Sequence, residues 1–120
     1  MITGLHALLF SNDAAADRAF LRDVLGFPFV DDGGGWLIFK LPPAEMGVHP
    51  LEHMPPETKP FHQFALMVDD IAATVADLRT KAVTVTDPVA QEYGIAVHVT
   101  LPGGGTIEVY EPRHAVAKDL

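Results

Sequence analysis

Glu108 stands between Ile107 and Val109 in an otherwise apolar or β-branched run. A carboxylate on a buried strand needs a partner, and a metal ion is the simplest one, because an unpaired charge is costly to desolvate. An outward-facing place on an edge strand is the alternative. His6 interrupts the apolar run at residues 2–10 and is either a hydrogen-bonded core histidine or a ligand. Slid over itself by 57 positions, the chain repeats at low fidelity: His6 falls on Gln63, Leu9 on Leu66, Asp13 on Asp70, Leu21 on Leu78 and Arg22 on Arg79. Halves related in this way place corresponding polar groups near a pseudo-symmetry axis, so a site between them draws on both. Imidazole nitrogen and carboxylate oxygen suit iron, manganese, nickel or zinc, and a glutamine carbonyl is a weaker, neutral ligand.

Further side chains bear on the same site. His98 lies on the strand expected to pair with that of Glu108, its face left open by the turn geometry. His49, just before Pro50, is either a rim residue or a base, since imidazole titrates near neutrality. Trp36, Phe39, Tyr93 and Tyr110 either floor an apolar pocket or pack the core. His62 faces away from its neighbour Gln63 on a regular strand and is structural, whereas His53 and His114 fall in loop and tail. Gly33-Gly34-Gly35 and Gly103-Gly104-Gly105 precede strands, so they read as hairpin turns rather than phosphate cradles. Ser11, the only serine, sits in a turn before a helix and supports no Ser-His-Asp hydrolase.

The elements that must position these groups follow from periodicity. Residues 2–10 read as a buried strand, followed by a helix over 14–25 capped by Asn12 or Asp13, with Phe20, Leu21, Val24 and Leu25 inward. Gly26 and Pro28 end it. Strands over 27–30 and 36–41 flank a glycine turn, and 44–50 is a weak fourth strand. A proline-bearing connector over 51–60 leads to a second strand over 61–68, a helix over 71–81, a strand over 83–86, and a hairpin of 93–101 with 106–110. The expected architecture is α+β: two βαβββ modules side by side, about 1–50 and about 61–112, forming a curved, cup-shaped mixed sheet with helices outside. Residues 113–120 are a tail, frayed or packed on the surface, and the whole reads as a single domain.

Composition narrows the partners. At 48% hydrophobic and 20% charged, the 120-residue chain is globular rather than disordered. A net charge of −8 with only 8 Lys and Arg disfavours nucleic acid and anionic membranes. The absence of cysteine removes disulfides and thiolate zinc sites and suits a reducing compartment. No run reaches the roughly 18 apolar residues that span a bilayer, and the N-terminus lacks a signal peptide's basic start. A soluble cytoplasmic protein is expected.

The stretches Gly4-Leu5-His6-Ala7-Leu8-Leu9, Phe20-Leu21-Arg22-Asp23-Val24-Leu25-Gly26-Phe27, Phe64-Ala65-Leu66-Met67-Val68-Asp69-Asp70-Ile71 and Leu101-Pro102-Gly103-Gly104-Gly105-Thr106-Ile107-Glu108-Val109-Tyr110-Glu111-Pro112 resemble the vicinal oxygen chelate superfamily. That superfamily includes glyoxalase I, extradiol dioxygenases, and fosfomycin-resistance and bleomycin-binding proteins. The resemblance implies a cup holding a divalent metal (Fe, Mn, Ni or Zn) and no organic cofactor. Its ligand positions fall on His6, His49, Gln63 and Glu108, with Glu108 and His49 in catalytic roles and His98, Trp36 and Tyr110 against the substrate. It further implies a small-molecule enzyme of lyase, isomerase or dioxygenase type that chelates vicinal substrate oxygens, or alternatively a metal-free small-molecule or antibiotic-binding protein, and a homodimer in either case. The sequence departs from the pattern in two places. Gln63 replaces a histidine of the dioxygenase set, and His49 replaces the second glutamate that serves glyoxalase I as base.

Overall fold

The computed structural model describes residue 1 and residues 3–120. Two helices of equal length carry the repeat: α1 (Ala14–Asp23) and α2 (Ile71–Thr80). Both begin at an aspartate of the offset pair. The Asp13 carboxylate accepts from the Ala16 amide at 3.1 Å and the Asp70 carboxylate from the Ala73 amide at 3.0 Å, satisfying a donor that the first helical turn leaves open. Each helix ends in the left-handed region, at Gly26 (φ 71°) after α1 and at Ala82 (φ 58°) after α2. Glycine adopts that conformation freely and alanine does so with strain.

The strands divide unequally. β1 (Phe29–Asp31) and β2 (Leu37–Phe39) form an antiparallel hairpin by themselves. β3 (Ala65–Met67), β4 (Val89–Gln91), β5 (Gly94–Thr100) and β6 (Thr106–Pro112) make a four-stranded sheet in the order β3-β6-β5-β4, with β3 parallel to β6 and the remaining pairs antiparallel. The core lies against this second sheet. Val97, Val99, Ile107 and Val109 meet Ile71, Val75 and Leu78 of α2, and Phe20 of α1 joins them. Burying Leu78 and Val97 this fully contributes roughly 2 kcal/mol each.

The hydrogen bonds that dock α1 onto module two are specific. The Asn12 amide donates to the Gly103 carbonyl, and the Gly103 amide donates to Asp17 Oδ1 at 2.8 Å. Asp17 is only 3% exposed. A Cβ at position 103 would run into Ser11 Oγ and Asp17 Oδ2, which is why glycine stands there.

Three expectations are corrected. Residues 3–10 enter no strand, and Leu5, Leu8 and Phe10 stay exposed, while Ile2, at the head of that expected strand, lies outside the described residues. Such a run needs a neighbour for its backbone groups. The segment over 44–50, expected as a weak fourth strand, is broken by Gly47 and bounded by prolines, and forms no strand either. The expected strand over 83–86 contributes only a bridge from Val85 to Val99, and pairing resumes at Val89 opposite Ala96. Asp87-Pro88 absorb the extra residue between those two registers as a bulge on the sheet edge, where proline's missing N–H is tolerated. Among the described residues, no helix is long and apolar enough to cross a membrane.

Candidate functional site

Strand register sorts the two faces of the second sheet. Ile107 and Val109 face α2, so Glu108 and Tyr110 face the other way, together with their cross-strand partners His98 and Ala96 on β5 and Ala65 and Met67 on β3. The His98 amide donates to Thr86 Oγ1 at 2.9 Å and its carbonyl accepts from the Thr86 amide at 3.1 Å. Both His98 backbone groups therefore point away from β6. The His98–Glu108 pair occupies a rung without mutual hydrogen bonds, the kind whose Cα atoms approach to about 4.5 Å. The face of His98, open in the sequence, is thus that of Glu108.

One of a pair of tyrosines holds the carboxylate. The Tyr93 hydroxyl donates to Glu108 Oε1, and the Tyr93 and Tyr110 rings meet edge-on at 5.3 Å and 79°. Burial, and then the neighbouring Glu108 carboxylate, push the Tyr93 phenol up to about 12. Tyr110 is also raised, by burial first and then by Glu45 and Glu108. His114 Nδ1 lies 2.7 Å from the Ala115 carbonyl, which can only accept, so Nδ1 carries the proton. Nε2 of the same ring lies 3.0 Å from the Tyr110 hydroxyl, within hydrogen-bond reach. The result is a half-buried carboxylate held by one phenol of a tyrosine pair, on the same sheet face as an exposed imidazole.

The remaining sequence candidates do not gather there. His6 is exposed on the unpaired segment, so no ladder aligns it with Glu108. His49 is exposed, its Nδ1 donating to the Pro50 carbonyl at 2.7 Å and its ring 6.5 Å from that of His53. Gln63 is exposed two residues ahead of β3, outside the paired strand. Trp36 ends the hairpin turn, 61% exposed, with the Arg18 guanidinium 4.6 Å over its ring. Among the described residues, no three of the histidines, aspartates and glutamates come together as a metal would require. With Glu108 engaged by Tyr93, the donor set does not fit a divalent ion as it stands.

The sequence left Tyr93 between pocket floor and core packing and did not show its bond to Glu108, and it gave Glu45 and His114 no role. The Tyr93 bond follows from the register, in which Gly94 pairs with Pro112 and Ala96 with Tyr110, and no spacing in the sequence announces it. Two shallow cavities lie elsewhere. One, of about 340 Å³, sits between Phe20 and Val24 of α1 and residues 81–84, and the other, of about 370 Å³, lies against the β1–β2 hairpin.

The sequence pattern of the Glyoxalase/Bleomycin resistance protein/Dioxygenase superfamily matches residues 5–109. No curated protein matches the chain. Among solved structures, the chain is similar to TnmS3, an antibiotic binding protein from Streptomyces sp. CB03234, at 24% identity and a TM-score of 0.63, covering 93% of this chain and 99% of that one. It is also similar to a lactoylglutathione lyase from Agrobacterium tumefaciens, at 22% identity and a TM-score of 0.63, over 91% and 92% of the two chains. At these identities the likeness is one of fold.

Proposed function

The chain belongs to the glyoxalase/bleomycin resistance protein/dioxygenase superfamily, and from that premise we propose that it binds a small cationic aromatic molecule on the open face of the second sheet. One observation carries the reading: the half-buried Glu108 carboxylate accepts from the hydroxyl of Tyr93, whose ring meets that of Tyr110 edge-on, so a carboxylate sits at the margin of an aromatic pair. An ammonium or amidinium group would take the free carboxylate oxygen in a charge-assisted hydrogen bond, worth about 1.5–3 kcal/mol. Its aromatic body would pack on the exposed Tyr93 ring, and a cation over such a ring adds about 0.5–2 kcal/mol. The His98 imidazole, directly opposite, offers a hydrogen bond to a polar substituent. The net charge of −8 favours approach of a cation. The antibiotic-binding neighbour is consistent with a sequestering role, and no catalytic step follows from the groups at this face.

Benzylammonium and benzyl alcohol, titrated against the protein by NMR, test the reading. Benzylammonium should bind at least tenfold more tightly and shift the Tyr93 and Tyr110 resonances, with the preference gone in Glu108→Gln. Equal affinity for the two compounds would overturn it. So would a titration with Mn²⁺ or Zn²⁺ in which His6, Gln63 and Glu108 respond together, for that result supports the metal-dependent enzyme instead.

A homodimer belongs to the same proposal. Leu5, Leu8, Phe10, Phe29 and Val30 are exposed in module one, a concentration of apolar side chains that a second copy would cover. Sedimentation at micromolar concentration should give twice the 13.0 kDa of one chain, and a persistent monomer would remove this part.

A further inference from the structure

The segment after β6 is anchored at points that surround the Tyr110 end of the proposed ligand face. The Arg113 amide donates to the Tyr93 carbonyl at 2.8 Å, and His114 reaches the Tyr110 hydroxyl. Farther along, the Ala117 and Lys118 amides both donate to Glu45 Oε1, at 2.9 and 3.2 Å. Glu45 comes from module one, more than seventy residues away in sequence. The segment itself buries little: His114, Ala115, Val116, Ala117 and Leu120 are exposed. It is therefore held by hydrogen bonds rather than by packing, the condition for a local opening that leaves the core intact.

We infer that residues 113–120 form a strap closing the Tyr110 end of the Glu108 face, with Glu45 as the latch that keeps it shut. Closed, the strap sets the His114 ring against Tyr110, centroids 5.9 Å apart, with His114 Nε2 3.0 Å from its hydroxyl. Released, it uncovers the phenol and widens the approach to Glu108. The occupant of the face is the cationic aromatic molecule proposed above, and the strap's regulatory role rests on that reading, although its closure does not. The latch joins the two modules, so a movement of the loop bearing Glu45 would be transmitted directly to the ligand site.

Glu45→Ala and a chain ending at Arg113 test the strap, with Glu45→Gln, which keeps the acceptor oxygen, as the conservative control. In Glu45→Ala, amide exchange at Ala117 and Lys118 should quicken at least tenfold, and nitration of Tyr110 by tetranitromethane should rise severalfold. The truncated chain should show the same gain in nitration, while Glu45→Gln should fall between wild type and Glu45→Ala. Benzylammonium should leave the Glu45→Ala protein faster than wild type. Tail amides that exchange at free-peptide rates in the wild type, or Tyr110 nitration unchanged by truncation, would overturn the strap. Exchange and nitration need no ligand, so a failure of benzylammonium to bind would count against the ligand reading alone.

Discussion

Leu21 and Leu78 occupy corresponding places on α1 and α2, 57 residues apart, yet their surroundings differ. Leu78 is 4% exposed among Ile71, Val75 and the β5–β6 strands, whereas Leu21 is only partly buried at the margin of that same cluster. The contrast extends through the modules. Both start a helix on an aspartate and follow it with a hairpin, but module two wraps its helix with four strands and module one offers two short ones. Local sequence pattern is shared between them, and burial is not. A repeat in sequence thus carries over the helices and their caps, while the number of strands available to cover a helix decides which copy carries the stability.

The largest expected break in this comparison is Leu78→Ala, which should cost about 3 kcal/mol by urea unfolding, because it opens a cavity in the one well-packed cluster. Leu21→Ala should cost about 1 kcal/mol, and equal losses would refute the asymmetry. Next comes Gly103→Ala, expected to cost about 2 kcal/mol because its methyl competes with Ser11 and with the buried Asp17 carboxylate. If α1 folds independently of module two, that substitution should instead be nearly silent. Asp13→Ala and Asp70→Ala should each cost about 1 kcal/mol, since the same cap does the same task in both halves. A large difference between them would mean that the repeat does not extend to the caps. Ala82→Gly should raise stability by about 0.5–1 kcal/mol by relieving a left-handed alanine.

The Tyr93–Glu108 pair adds a prediction in pH. The phenol's value in the folded protein lies above its ordinary 10, at about 12, so its contribution to stability is complete below about pH 10 and disappears as the pH rises through 12. Ultraviolet titration should find both tyrosines titrating above 10, and Glu108→Gln should bring Tyr93 part of the way back, leaving the share due to burial.

What the sequence revealed follows the same division. The caps at Asp13 and Asp70, both helices, the Gly26 stop and the β5–β6 hairpin are local features with local signals, and the structure has them. The glycine turn after Val30 likewise joins β1 to β2. Residues 3–10 have the composition of a strand, but composition does not supply a neighbour, and His6 misses the sheet for that reason. β4 escaped notice because its two-residue turn, Glu92-Tyr93, lacks the usual Asn-Gly or Gly-Gly pattern; the glycine comes one place later, at Gly94 with φ 155°. Of the site, Glu108 was legible as an acid in an apolar strand, and Tyr110 as its aromatic neighbour. The choice of face for His98 required the register of β5 against β6. The Glu45 latch required the chain to fold back over more than seventy residues, a distance at which no spacing rule operates.

The strand order β3-β6-β5-β4 places the last strand of the chain inside the sheet, not at its rim. During synthesis, β3, α2 and β5 therefore emerge with their common partner still missing, and the helix has no completed surface to rest on. Module two would consolidate only after residue 112 has left the ribosome. Until then its β-branched strands are exposed to other nascent chains, and a translation pause shortly before that point would lengthen their vulnerability.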